Sequence, residues 1–323
     1  MQRMHTKALV AVGAATVAGI TAGAAYLYRG YSRSHKLTSL TEEDKVEIRS
    51  SLSRIYGASG LTLAGIASPA LAVHLGAAPL LAPIYAGIGA NIYTMTGFGA
   101  VVLSSGFAAA FLPLHVDLDG DGVASSSSLP PPPPTYSPER EGRDPPPAYA
   151  AMAGKMEVAV NKRANKIKLA CWGVSTLGLG LLLGPLGSLS SSLLTVAAGY
   201  SLALAVGAHT TAYVTASPLA YIIAAPLSMS GSVLAAHFAF GALNVPFSTL
   251  VLPTVAWTGA ILAADALSVL AEVVEDPENA DPIRYGIRVA GSTTLAFLNI
   301  LWKMYKLFRG TARTGARIAD AVN

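Results

Sequence analysis

Eight runs of about twenty apolar residues constrain this chain more than any short motif does. A helix rises 1.5 Å per residue, so a run of this length spans about 30 Å, the hydrocarbon thickness of a bilayer. The runs are Ala8–Tyr28, Gly57–Leu75, Ile84–Leu112, Ile167–Leu186, Leu189–His209, Leu219–Leu243, Leu250–Ala271 and Ile287–Phe308. The third is long enough to tilt or break, and Gly97 and Gly99 mark the expected place. In lipid each backbone N–H and C=O must be paired inside its own segment, so the runs are predicted to be helices. The expected fold is therefore all-α, a polytopic membrane bundle of about eight transmembrane helices. One N-terminal helix (1–28) precedes a seven-helix core, and a disordered proline-rich loop interrupts that core.

Composition supports this reading. Only 12% of the residues are charged, 52% are hydrophobic and the mean hydropathy is +0.50. Soluble domains are about 25% charged, so this chain has too little charge to clothe a water-facing surface. Its 31 glycines suit close helix packing in lipid. Gly19 and Gly23 form a small-xxx-small step, which suits either a homo-oligomer face or packing within the chain. The single cysteine, Cys171, excludes an intrachain disulfide. The net charge of +4 comes from basic residues that flank apolar runs, with no basic helix face, so no nucleic-acid partner is expected. No nucleophile elbow, phosphate loop or metal-ligand spacing occurs, and an enzyme is not expected. His74, His209 and His237 lie in or at the ends of runs without ligand spacing, and packing or interface roles are expected for them.

Three polar segments divide the runs. Residues 29–56 read as an amphipathic linker, with Thr41 capping a helix and Asp44 three residues on completing a capping box. The first core helices occupy 57–112, the proline-rich loop 113–166, the remaining core helices 167–309 and a tail 310–323. The third polar segment is the linker Glu272–Arg288. Basic loops stay cytoplasmic, and the three polar segments are separated by even numbers of runs, so they share one side. The basic tail, with Arg309, Arg313 and Arg317, then falls on the other side, a conflict that a half-inserted last helix would remove. The N-terminus has no acid before Glu42 and carries Arg3, Lys7, Arg29 and Arg33. That suits mitochondrial import or an ordinary signal anchor equally, so the expected location is the mitochondrial inner membrane or the ER/Golgi.

The loop carries two short motifs with mechanisms. SSSSLPPPPPTYSPEREGRDPPPAYA contains Pro133-Pro134-Thr135-Tyr136 and Pro146-Pro147-Ala148-Tyr149. Both are PPxY, the pattern read by WW domains: the prolines preset a polyproline II helix and the tyrosine adds an anchoring ring. WW-containing proteins such as HECT-type ubiquitin ligases are the expected partners, beside the lipid bilayer. Upstream, DLDGDG places Asp117, Asp119 and Asp121 at positions one, three and five of a calcium loop. Position twelve is Ser128 where the closing Glu belongs, so a turn is expected, with weak calcium binding as the alternative and no other cofactor.

From about Arg49 to Gly310 the chain resembles the Bax inhibitor family of multi-pass membrane proteins, and within it the growth-hormone-inducible transmembrane branch. The stretches that carry this are IRSSLSRIYGASGLTLAG, AAPLSMSGSVLAAHFAFGALNVPF, GAILAADALSVLAEVVED and DPIRYGIRVAGSTTLAFLNILWKM, in that order and spacing. The extra helix at Ala8–Tyr28 fits that branch. The resemblance implies a seven-helix bundle with the last helix central, a pH-sensitive leak of calcium or protons, and suppression of cell death. It also implies a pore gated by two aspartates on the last two core helices. The first maps to Asp265; the place of the second falls on Ser292, or near Ala296 on a shifted match. Two function classes follow: an ion-homeostasis modulator of the Bax inhibitor kind, and a non-transporting adaptor recruiting WW-domain ligases. A viral envelope member would combine both.

Overall fold

In the computed structural model, the structure describes residues 40–112, 147–242 and 251–322. The run Ala8–Tyr28, the half-loop Asp117–Gly122 and the motif residues Pro133, Pro134, Tyr136 and Pro146 lie outside the described residues. Helix α1, Glu42–Ala72, begins as the sequence predicts. Thr41 Oγ1 accepts from the Asp44 N–H at 3.2 Å, and Asp44 Oδ2 accepts from the Thr41 N–H at 2.7 Å. Ile48, Leu52 and Ile55 follow at helical spacing and are buried, so the amphipathic linker and the first core run form one continuous helix.

A π-turn, Val73–Ala77, ends α1 at a kink. Gly76 sits there at φ 94°, a left-handed conformation that a Cβ would oppose. His74 Nδ1 lies 3.0 Å from the Gly187 carbonyl and pins the kink to a 3₁₀ turn, Gly184–Ser188. Helix α2, Ala78–Ile88, follows, and then α3, Ile92–Phe111. The third apolar run is thus broken at residues 89–91, not at Gly97 or Gly99. The cause is Asn91, whose Oδ1 accepts from the Thr94 N–H at 2.9 Å and starts a new helix. Gly97 and Gly99 lie within α3 facing open space, so nothing there forces a bend.

Helix α4, Pro147–Leu183, begins inside the segment expected to be loop as far as 166. A proline suits that position, since the first helical N–H has no partner to lose. The remaining helices are α5 (Ser191–Thr215), α6 (Pro218–Ala242), α7 (Leu252–Glu275) and α8 (Pro282–Val322). The tail expected at 310–323 continues α8 to Val322.

Every described element is helical. Six helical segments are long and apolar enough to cross a bilayer: Glu42–Ile88, Ile92–Phe111, Ala164–Ser188, Ser191–Thr215, Pro218–Ala242 and Leu252–Glu275. By length and composition the chain is a multi-pass integral membrane protein. The expected count of eight is not reached among the described residues. The first run lies outside them, and α8 is diluted by Ser292, Thr293, Thr294 and Asn299 and then by Lys303 and Lys306.

Helix α8 is the hub: it packs against α1, α3, α5 and α7. At its start Asp281 Oδ1 accepts from the N–H groups of Ile283 at 3.0 Å and Arg284 at 3.1 Å. The same carboxylate pairs with Lys168 of α4, whose side chain is 0% exposed. Lys168 Nζ also donates to the Leu112 carbonyl just past α3, at 2.5 Å. One buried cation therefore ties α3, α4 and α8 together.

Glycines set the closest crossings. A Cβ on Gly180 of α4 would meet the Gly65 carbonyl oxygen of α1 at 2.7 Å and that of Ile66 at 2.9 Å. Because both obstacles are backbone, Gly180→Ala is expected to lower stability by about 1–3 kcal/mol through overpacking. Gly97→Ala, whose Cβ meets nothing, is expected to be neutral or to stabilise by about 0.5–1 kcal/mol. Thermal unfolding of both variants in detergent reads the difference. Equal midpoints would show that the α1–α4 crossing is looser than these contacts imply.

Candidate functional site

Across residues 169–271, Asp265 is the only Asp, Glu, Lys or Arg. It sits on α7, and its side chain is 16% exposed. Asp265, Ser268 and Glu272 fall at i, i+3 and i+7, which lines them along one face of that helix. Arg288 of α8 reaches across to this face. Its Nε donates to Asp265 Oδ1 at 2.7 Å and its Nη1 to Glu272 Oε1 at 2.8 Å. Ser268 Oγ also donates to Glu272 Oε1, at 3.2 Å. One guanidinium thus holds two carboxylates of the neighbouring helix, with the planar fork that suits arginine to this task. The network runs from the interior at Asp265 to the more open Glu272, whose side chain is 37% exposed.

The place expected for a second aspartate holds none. Ser292 Oγ donates to the Val289 carbonyl of its own helix at 3.0 Å, and Ala296 is buried in apolar packing. Where the resemblance implies a pair of acids, the contact partner of Asp265 is a base, Arg288, one turn before Ser292.

Three other helices bring polar groups towards Asp265. Tyr56 of α1 and His209 of α5 face each other with ring centroids 5.1 Å apart at 51°. Tyr221 of α6, fully buried, donates its hydroxyl to the Ala263 carbonyl of α7 at 3.3 Å. Both His209 and Tyr221 lie within electrostatic reach of the Asp265 carboxylate. Four atoms of this group are buried without a hydrogen-bond partner: the Tyr56 hydroxyl, both ring nitrogens of His209 and Asp265 Oδ2.

One cavity adjoins the cluster and a second lies beyond it. The first, of about 320 Å³, is bounded by Tyr56, His209, Tyr213 and Val289. The other, of about 400 Å³, lies towards His74, Gly187, Ser191 and Phe297. They share Leu63, Leu202 and Thr293, so they meet end to end between α1, α5 and α8. Along α1 and the π-turn, Tyr56 and His74 are separated by about 27 Å, close to the thickness of the hydrocarbon core.

Asp265 was readable in the sequence as an ionisable group inside an apolar run. Arg288 was not singled out, although it opens the last run and faces a lined-up acid pair. His209 was read only as a packing or interface residue and Tyr56 was not singled out, because no spacing links positions so far apart; only the crossing of α1 and α5 brings them together. Tyr149 and Pro147, from the second PPxY copy, lie in the first turn of α4 and far in sequence from this cluster. Among the described residues no three His, Cys, Asp or Glu side chains converge as a metal site requires. No protein-family model, curated protein or solved structure matches the chain.

Proposed function

We propose that this chain is a multi-pass membrane protein that modulates ion homeostasis, leaking protons or calcium through its bundle under the control of Asp265. Its effect on cell death is then the one the Bax inhibitor resemblance implies. The observation that carries this reading is the Asp265–Arg288 ion pair between α7 and α8, whose acid is the only Asp, Glu, Lys or Arg from residue 169 to residue 271. A carboxylate inside a membrane span is costly, and function is the default explanation for one. Its chemistry also suits a gate. Protonation removes the charge that holds Arg288 Nε, while Nη1 keeps Glu272. Acid would then loosen half of the α7–α8 tie without breaking it.

Reconstituted vesicles test this. Asp265→Asn keeps the shape of the side chain and removes its titration, so the pH dependence of calcium or proton leak is expected to flatten. With one acid in place of two, wild-type leak is expected to be weak and only shallowly pH-gated. A strong leak that closes sharply with pH and is unchanged in Asp265→Asn would sink the assignment.

A second reading is favoured by the two PPxY copies: a membrane adaptor that recruits WW-domain ubiquitin ligases. It does not require transport and can hold alongside the first.

A further inference from the structure

We infer that Tyr56, His209 and the free oxygen of Asp265 form a buried proton-binding site, fed from the cavity beside Tyr213, in which His209 takes the proton. This deepens the ion-homeostasis reading and rests on it for its cellular purpose, but it names a different titrating residue and a single ligand.

The burial of unpaired polar atoms is the starting point. A buried donor or acceptor left without a partner costs about 1–3 kcal/mol. Four such atoms from three helices gather here: Tyr56 Oη, His209 Nδ1 and Nε2, and Asp265 Oδ2. The same cavity touches both Tyr56 and His209, so the group has an approach route.

Chemistry then selects the ligand. Calcium takes six to eight oxygen ligands, several of them carboxylate. The cluster offers one free carboxylate oxygen and one phenol oxygen, and Arg288 already opposes the carboxylate charge. A proton needs only one lone pair. Neutral imidazole has one, and it titrates closer to neutral pH than any other ordinary side chain. The step is a simple addition. The lone pair of the unprotonated ring nitrogen bonds the incoming proton, the ring becomes imidazolium, and no other bond breaks. Both ring nitrogens are then donors, matching the acceptors nearby, Tyr56 Oη and Asp265 Oδ2.

The consequence follows from the groups that face His209. They are Tyr56 on α1, Tyr213 on its own helix and Asp265 on α7, and Tyr221 on α6 stands in turn near Tyr56 and Asp265. Behind Asp265 stand Glu272 on α7 and Arg288 and Tyr285 on α8. Imidazolium at Oδ2 and Arg288 at Oδ1 then share one carboxylate, Asp265, while Glu272 also holds Arg288. Loading the site therefore ties α5 to the α7–α8 network.

Histidine-selective NMR of the full-length protein in lipid nanodiscs tests the site directly. The resonance missing from His209→Gln identifies His209 among the six histidines. It is expected to titrate, with a midpoint that moves in Asp265→Asn. If His209→Gln fails to fold, comparing wild type with Asp265→Asn still reads the coupled resonance. A His209 signal that does not titrate, or whose midpoint ignores Asp265→Asn, overturns the proposal. Vesicles carrying a pH-sensitive dye provide the second arm, in which His209→Gln is expected to flatten the pH dependence of proton leak. A coupled titration with no leak in any variant supports the site and removes the leak reading. A pH-gated leak with a silent His209 keeps the leak reading and overturns the site.

Discussion

Lys168→Met is expected to cost about 3–5 kcal/mol of stability, the usual consequence of removing one member of a buried ion pair. Lys168 is fully enclosed, and its ammonium is shared between Asp281 and the Leu112 carbonyl. Methionine fills similar volume, so the loss comes from charge and not from a cavity. What remains is a carboxylate at the start of α8 with a side chain only 16% exposed and its counter-charge gone. Lys168→Met combined with Asp281→Asn is expected to recover most of the loss. Asparagine keeps the capping oxygen that Ile283 and Arg284 use, and it is neutral. Denaturation in detergent of the three variants measures this. A cost below about 1 kcal/mol for Lys168→Met, or a double variant worse than the sum of the singles, would mean that the ammonium is not the tie between α3, α4 and α8.

Binding of the segment Ser125–Ala150 to a tandem WW protein is expected to fall by about a hundredfold or more when either PPxY tyrosine is removed, through lost effective concentration. Tyr136→Ala or Tyr149→Ala alone leaves one site intact, so a single WW domain is expected to notice far less. The double change is expected to abolish both interactions. Phosphorylation of either tyrosine puts a charge of about −2 on a ring that must enter an apolar groove, and weaker docking is expected. The structure adds a further expectation. Pro147, Ala148 and Tyr149 lie in the first turn of α4, so an extended polyproline conformation there requires that turn to unwind. The isolated peptide is therefore expected to bind tandem WW domains more tightly than the intact chain does. Titration of wild-type and double-variant peptides decides the matter, and equal affinities would reduce the segment to a spacer.

Features within one or two helical turns were legible in the sequence. The Thr41–Asp44 box, the apolar runs behind α4 to α7, and the solitary acid Asp265 all depend on residues close together in the chain. The break in the third run was misplaced because glycine content was weighed above capping. Glycine permits a bend, whereas Asn91 with Thr94 supplies a new first turn. The extent of α8 escaped because the apolar run ends at Phe308, whereas the helix continues to Val322. The candidate site was half legible for a related reason. An acid in an apolar run stands out by contrast, but its partners Arg288, Tyr56 and His209 come from three other helices. Their meeting is a product of crossing angles and of the glycines that let helices approach, and no local pattern encodes that.

Helix α8 runs unbroken for 41 residues, about 61 Å, roughly twice the hydrocarbon thickness. Arg288 is gripped near one end, and the other end carries Arg309, Arg313 and Arg317. A helix without an internal break behaves as a lever, so a rotation at one end is felt at the other. Any anionic surface that binds the arginines more tightly in one orientation than in another must bias the Asp265–Arg288 contact. Linkage makes the effect mutual: the state of that contact changes the tail's affinity for the surface by the same factor. The surface charge of the bilayer would in this way act as an effector of a carboxylate buried far from it.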